Sequence, residues 1–269
     1  MGMVIKTPVI VMALYDIGRD NWDVYNVSYN TYLYWMNNTL SLNAKFVIYT
    51  EEKFVERIKG FREKYDPELK NTIIITKPLS ELEGYKLYNK RLTDLMTSEE
   101  FVGKIDHNVP EMTKPLYNVI MFNKLYFLKN AIDGGYFNGD LFIWADAGGL
   151  RDNISFYENK SWPSLNKINQ QDNSKATFFC HSQDFDIADR EKEFYAMSQI
   201  RNIQGTAFFM PKDLIDTFIK DFFEVVETCI TLGYIGSDEK IFDLSYINNK
   251  HKYNLIKCTW REYYKIFSN

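Results

Sequence analysis

The stretch Leu141-Phe142-Ile143-Trp144-Ala145-Asp146-Ala147-Gly148-Gly149 decides the fold. A short apolar run containing Phe, Ile and Trp, bounded by glycine, has the pattern of a buried strand. It delivers a single carboxylate and then turns. Open α/β sheets bind ligands outside the carboxyl ends of their strands. Asp146 therefore stands where a nucleotide, a metal or both are held. The competing reading is a plain turn, since Asp and Gly are ordinary turn formers.

Working outward, strand-like runs recur at 9–14, 45–49, 71–76, 141–145, 177–180 and 205–210. Helix-like stretches fall at 29–40, 51–64, 99–102, 117–132, 187–201, 212–232 and 239–248. Their alternation predicts an α/β fold with a largely parallel sheet and helices on both faces. In the stretch 211–232, Leu214, Ile215, Phe218, Ile219, Phe222, Phe223, Val226 and Ile230 recur at helical spacing, the mark of a helix packed on a sheet. The polar segment 166–175 reads as a loop. With no repeat and no Pro/Gly/Ser-rich linker, 1–269 reads as a single domain.

A chain of 269 residues can bury a large core. Its 45% hydrophobic and 25% charged content is that of a soluble globular protein. The net charge of −4 argues against a nucleic-acid partner on a basic face. Cys180, Cys229 and Cys258 have neither metal-site spacing nor a disulfide framework, which points to a reducing cytoplasm. The apolar run 8–14 is too short for a bilayer and reads as the first strand. The basic and aromatic C-terminal stretch, from Lys250 through Trp260, Arg261, Tyr263, Tyr264 and Lys265, is either a docked terminus or a peripheral membrane contact.

Four clusters could carry chemistry. The loop Tyr15-Asp16-Ile17-Gly18-Arg19 follows the first strand, with Arg19 offering a fork for phosphate and Asp16 an acceptor for a base or ribose. It holds neither a dinucleotide fingerprint nor a P-loop. Pro110-Glu111 is followed by Tyr117 and Lys124 on the helix that feeds the Asp146 strand, and Lys124 could reach a diphosphate. Gly236-Ser237-Asp238-Glu239 opens a late helix. Ser237 or Asp238 is its N-cap, and Asp238 or Glu239 is alternatively a general base. Of the histidines His107, His181 and His251, either His181 or His251 could complete a metal site with Asp146.

Taken in order, Asp16-Ile17-Gly18-Arg19, Tyr32-Leu33-x-Trp35, Pro110-Glu111, Tyr117, Lys124 and Trp144-x-Asp146-x-Gly148 resemble the HtrL/YibB family. The resemblance covers about residues 1–155 and continues through Gly205 and Asp238-Glu239. It implies a GT-A-type glycosyltransferase-like fold from bacterial lipopolysaccharide and capsule loci. Residues 1–155 would bind a nucleotide-sugar donor, a UDP-sugar, and 156–269 would face the acceptor. In such folds an Asp-x-Asp motif holds Mn²⁺ or Mg²⁺ on the donor diphosphate. Here Gly148 replaces the second carboxylate. Either Asp146 works with another ligand such as His251, or Arg19 and Lys124 replace the metal. Asp238 and Glu239 would be the catalytic pair, and Asp16, Arg19, Lys124, Asp146 and Gly148 the donor site. The acceptor would be a glycan or a lipid-linked sugar in surface polysaccharide synthesis at the inner face of the membrane. A non-catalytic nucleotide-sugar or glycan-binding protein on a decayed transferase fold is the alternative. A nucleotidyltransferase is disfavoured, because the first loop lacks a Gly-rich phosphate cradle.

Overall fold

The computed structural model describes residues 4–105, 107–151, 154–183, 185 and 202–269. Its strands are β1 Pro8–Leu14, β2 Lys45–Thr50, β3 Thr72–Thr76, β4 Leu141–Ala145, β5 Ala176–Cys180, β6 Ile203–Pro211 and β7 Tyr253–Lys257. Its helices are α1 Tyr29–Leu40, α2 Glu52–Arg62, α3 Glu83–Met96, α4 Glu99–Val102, α5 Pro110–Thr113, α6 Pro115–Asp133, α7 Leu165–Asn169, α8 Ile215–Thr231, α9 Asp238–Asn248 and α10 Tyr263–Ile266.

The strands form one sheet in the order β3-β2-β1-β4-β6-β5-β7. Pairing is parallel through β3, β2, β1 and β4 and again between β5 and β7. β6 runs antiparallel to both of its neighbours, so it alone opposes the common direction. The mostly parallel α/β reading is therefore correct, with one reversed strand between β4 and β5.

Side chains on a strand alternate between faces, and this alternation divides the core. Val9, Val11, Phe142 and Trp144 join one hydrophobic cluster, with α3, α6, α8 and α9 packed over it. Ile10, Met12, Leu141, Ile143 and Ala145 join the other, under α1, α2 and the C-terminal helix. Parallel strands covered on both faces need continuous apolar runs rather than alternation, and β4 is buried at every position. The expected stripe on α8 faces the first cluster through Phe218, Phe222, Phe223 and Val226.

Several elements depart from expectation. Helix α3 was not anticipated, because its buried residues Tyr88, Leu92 and Met96 lie among charged residues and follow Gly84. Gly84 is there for closeness: its N–H donates to Asn123 Oδ1 at 3.1 Å, and a Cβ would meet Asn123 Nδ2 at 2.5 Å. Strand β7 was missed because polar Asn254 and Lys257 break up its short apolar run, as befits an edge strand. The polar loop 166–175 begins as the short helix α7. The expected helix 187–201 lies outside the described residues. No helix among the described residues is long and apolar enough to cross a membrane.

The C-terminal stretch is docked. Tyr263, Tyr264 and Phe267 are fully buried, the Tyr264 carbonyl accepts from Trp162 Nε1 at 3.1 Å, and the Phe267 carbonyl accepts from Ser164 N at 2.7 Å. The rings of Tyr263, Tyr264 and Phe267 belong to the core. Phe267→Ala is expected to cost about 3–5 kcal/mol. Urea denaturation checks this, and a loss below about 1 kcal/mol would contradict the docking.

Candidate active site

The reversed strand brings the working residues to one edge. β4 ends beside the first half of β6, with Ala145 opposite Ala207. β5 and β7 end at the same edge, where Cys180 pairs with both Ile203 and Lys257. A cavity of about 570 Å³ opens there, lined by Arg19, Tyr117, Lys124, Asp146, Gly148 and Asp238 among others. Open α/β sheets hold ligands at this edge.

Lys124 lies at the bottom, almost fully buried on α6. Its Nζ sits 2.8 Å from Asp238 Oδ2, 3.2 Å from Asp146 Oδ1 and 2.9 Å from the Gly205 carbonyl oxygen. An ammonium has three donors, and all are spent. Burial pulls the Lys124 pKa down, but the adjoining Asp146 and Asp238 carboxylates overcome that and raise it. Lys124 is thus a permanent cation holding two carboxylates, not the free phosphate clamp expected from sequence.

Asp146 takes a further hydrogen bond on Oδ1, from Trp144 Nε1 at 2.6 Å. Its side chain keeps 28% of its surface open. Burial raises its pKa, Asp238 adds to that, and Lys124 and Trp144 oppose it. Asp238 sits in the first turn of α9, after Ser237 at the N-cap. A carboxylate is favoured there by the helix dipole. Glu239 Oε1 accepts from Gly205 N at 3.2 Å, so α9 clasps the Gly205 peptide from both sides together with Lys124. Only glycine permits this approach: a Cβ at 205 would lie 2.9 Å from Asp238 Cγ and 3.1 Å from Glu239 Cγ.

The first loop behaves differently from its expected role. Asp16 pairs with Lys53 and accepts from Gly18 N at 2.8 Å, which closes the turn that Gly18 makes in the left-handed region (φ 78°). It shapes the loop and does not line the cavity. Arg19 does line it, caged by the rings of Trp22, Tyr32 and Tyr117 at 5.1, 5.0 and 5.8 Å.

His251 cannot join Asp146. It precedes β7, whose C-terminal end is the one at the site, so it lies at the opposite edge of the sheet. His181, just after β5, lines the cavity instead. Among the described residues no three His, Cys, Asp or Glu side chains come together as a metal donor set. At the position of the second carboxylate, a Cβ on Gly148 would meet Tyr32 Cε1 at 3.1 Å and Trp35 Cε3 at 3.2 Å. Asp146 therefore has no second carboxylate on its own turn.

Sequence reasoning missed Arg151, Gln204, Trp260 and Arg261, all of which line the cavity. Arg151 follows the Asp146 turn closely enough that its position alone could have flagged it. Trp260 and Arg261 were hidden in a stretch read as a docked terminus or a membrane contact.

With this geometry in hand, the family match is decisive: the HtrL_YibB family model, described as a bacterial protein of unknown function, matches residues 6–269. The chain belongs to the HtrL_YibB family. No curated protein matches it. Solved structures similar to it include the galactosyltransferase LgtC in complex with donor and acceptor sugar analogues (11% identity, 92% of this chain and 72% of that one, TM-score 0.48). Mouse xyloside xylosyltransferase 1 is another (10% identity, 96% and 91% covered, TM-score 0.46). A third is 4-diphosphocytidyl-2C-methyl-D-erythritol synthase from Anaerococcus prevotii (12% identity, 95% and 88% covered, TM-score 0.43).

The buried network makes a direct prediction. Lys124→Met leaves Asp146 and Asp238 without their cation, and breaking a buried pair in this way costs about 3–5 kcal/mol. Lys124→Met/Asp238→Asn should recover part of that loss in urea denaturation. The cycle is closed with Asp238→Asn alone: single losses that simply add up in the double variant would show that the two residues are not coupled.

Proposed function

We propose that the protein is a glycosyltransferase on a GT-A-type fold, taking a nucleotide-sugar donor, a UDP-sugar, and passing its sugar to a glycan or lipid-linked acceptor in surface polysaccharide synthesis. The observation that carries this reading is the pair of carboxylate positions in one cavity. Asp146 opens into it from the end of β4, and Asp238-Glu239 face it from the start of α9.

The division of labour follows from burial and bonding. Asp146 commits Oδ1 to Trp144 and Lys124 and turns its remaining surface to the cavity, where it would meet the donor ribose. Asp238 is sealed against Lys124, so it positions rather than reacts. Glu239 is more exposed and is the residue placed to accept the acceptor hydroxyl proton. As the acceptor oxygen bonds to the anomeric carbon, the bond to the donor phosphate breaks and its electrons leave with the diphosphate. That charge must be met by fixed positive groups for the step to be fast.

The test begins with thermal stability against a panel of nucleotide-sugars, since a ligand that binds only the folded state raises the melting temperature. The stabilising donor is then assayed for transfer and for hydrolysis without acceptor. Glu239→Gln is expected to lower turnover about 10²-fold or more with little change in donor affinity. Asp146→Asn is expected to stay folded and lose donor binding. A wild-type protein that binds donor but neither transfers nor hydrolyses it would establish the non-catalytic binding reading instead. That alternative is favoured by one feature, the neutralisation of Asp238 by Lys124.

A further inference from the structure

Three arginines surround the cavity without a carboxylate. Arg19 comes from the first loop, Arg151 from the turn after Asp146, and Arg261 from the C-terminal stretch. Among the described residues none of them makes an ion pair. Other arginines in the same molecule show what a structural guanidinium looks like here. Arg62, which is buried, donates to Thr72 Oγ1 at 2.9 Å and to the Leu40 and Leu42 carbonyls, and faces Asp66 at 3.7 Å. Arg91 grips Glu227 through two bonds of 2.7 Å. Arg19 and Arg261 are half-buried and Arg151 is more open, yet among the described residues none of the three has a carboxylate partner, whereas a half-buried charge is normally paired.

Rings, rather than acids, hold them. Arg19 sits among Trp22, Tyr32 and Tyr117. Tyr32 packs edge-on against Trp35 at 5.4 Å. Arg151 lies 3.8 Å over Trp35 and 5.8 Å from Trp260, and Arg261 lies 5.0 Å from Trp260. The result is an alternating ladder of guanidinium and aromatic groups along one wall. Stacking occupies the faces of a guanidinium and leaves its in-plane N–H edge for bidentate bonding to phosphate. Arg151 spends Nε on the Gly148 carbonyl at 2.8 Å, which fixes its orientation. Arg19 Nε is buried with no partner. The charges press on one another as well: after burial, the largest influence lowering the Arg151 pKa is Arg261, and Arg19 adds to it. Bringing like charges together costs free energy that a bound anion would return.

We infer that this ladder, with Arg19, Arg151 and Arg261 as its cationic rungs, is a diphosphate site that takes the place of a divalent cation. Gly148 belongs to the same arrangement, since the space a side chain there would enter is filled by Tyr32, Trp35 and Arg151. The identity of the diphosphate as that of a nucleotide-sugar rests on the reading under Proposed function. The anion site itself rests on the arginines.

The test is calorimetric titration of the full chain with inorganic pyrophosphate, UDP and uridine, in EDTA and again with Mn²⁺. Pyrophosphate and UDP are expected to bind in EDTA, uridine far more weakly, and the affinity of the first two to fall as salt is raised. Arg151→Met and Arg261→Met should each weaken pyrophosphate binding at least tenfold while melting near the wild-type temperature. Arg151→Lys should restore only part, because a point charge cannot replace a stacked fork. Binding that appears only with Mn²⁺, or that both methionine variants leave within twofold of wild type, overturns the inference. Failure of the transferase reading looks different: arginine-dependent pyrophosphate binding with no nucleotide-sugar turned over keeps the anion site and removes its assigned substrate.

Discussion

Everything at the sheet edge depends on one buried ammonium. Lys124 ties α6, the end of β4, the Gly205 peptide of β6 and the start of α9 into a single knot. A buried ion pair is weak evidence for added stability, because desolvation offsets attraction. What it provides is position. Two carboxylates from chain segments far apart in sequence are held at fixed places around one cation, and neither can drift without leaving charge unpaired. Glycine at 205 is the steric condition for this, since any side chain would push α9 away from the strand.

The cavity above the knot is lined by both signs of charge, Asp146, Asp238 and Glu239 together with Arg19, Arg151 and Arg261. In a cleft with low-dielectric walls such fixed charges act on a charged ligand before it makes contact. Their meeting comes from topology. The βα loops of the parallel half bring the Arg19 and Arg151 segments, while the reversed β6 lets α9 and the C-terminal stretch reach the same edge.

Much of the fold was legible because its signals are local. The apolar run 141–145 and the α8 stripe announce themselves through periodicity, and both lie where expected. The reversal of β6 was not legible: its nine buried residues show no alternation that separates parallel from antiparallel pairing. At the site, the ordered motifs singled out Arg19, Lys124, Asp146 and Asp238, and the structure brings all of them to one cavity. The role of Lys124 was misjudged because saturation of its donors depends on contacts 81 and 114 residues away in the chain. His251 failed for a related reason. Without strand β7 in the reading, nothing showed which edge of the sheet it would occupy. Arg261 escaped because the residues beside it read as core or lipid contact, and residue type alone does not say which neighbour of a buried tyrosine faces a cleft.

The aromatic ladder gives the protein a built-in optical reporter. Of its five tryptophans, Trp22, Trp35 and Trp260 each lie within 6 Å of a cavity arginine, Trp144 bonds to Asp146 at the cavity floor, and Trp162 is buried in the second hydrophobic cluster. An indole's emission responds to the charge and hydration beside it. Occupancy of the cavity is thus written into the near-ultraviolet signal of the unlabelled chain, against a steady background from Trp162.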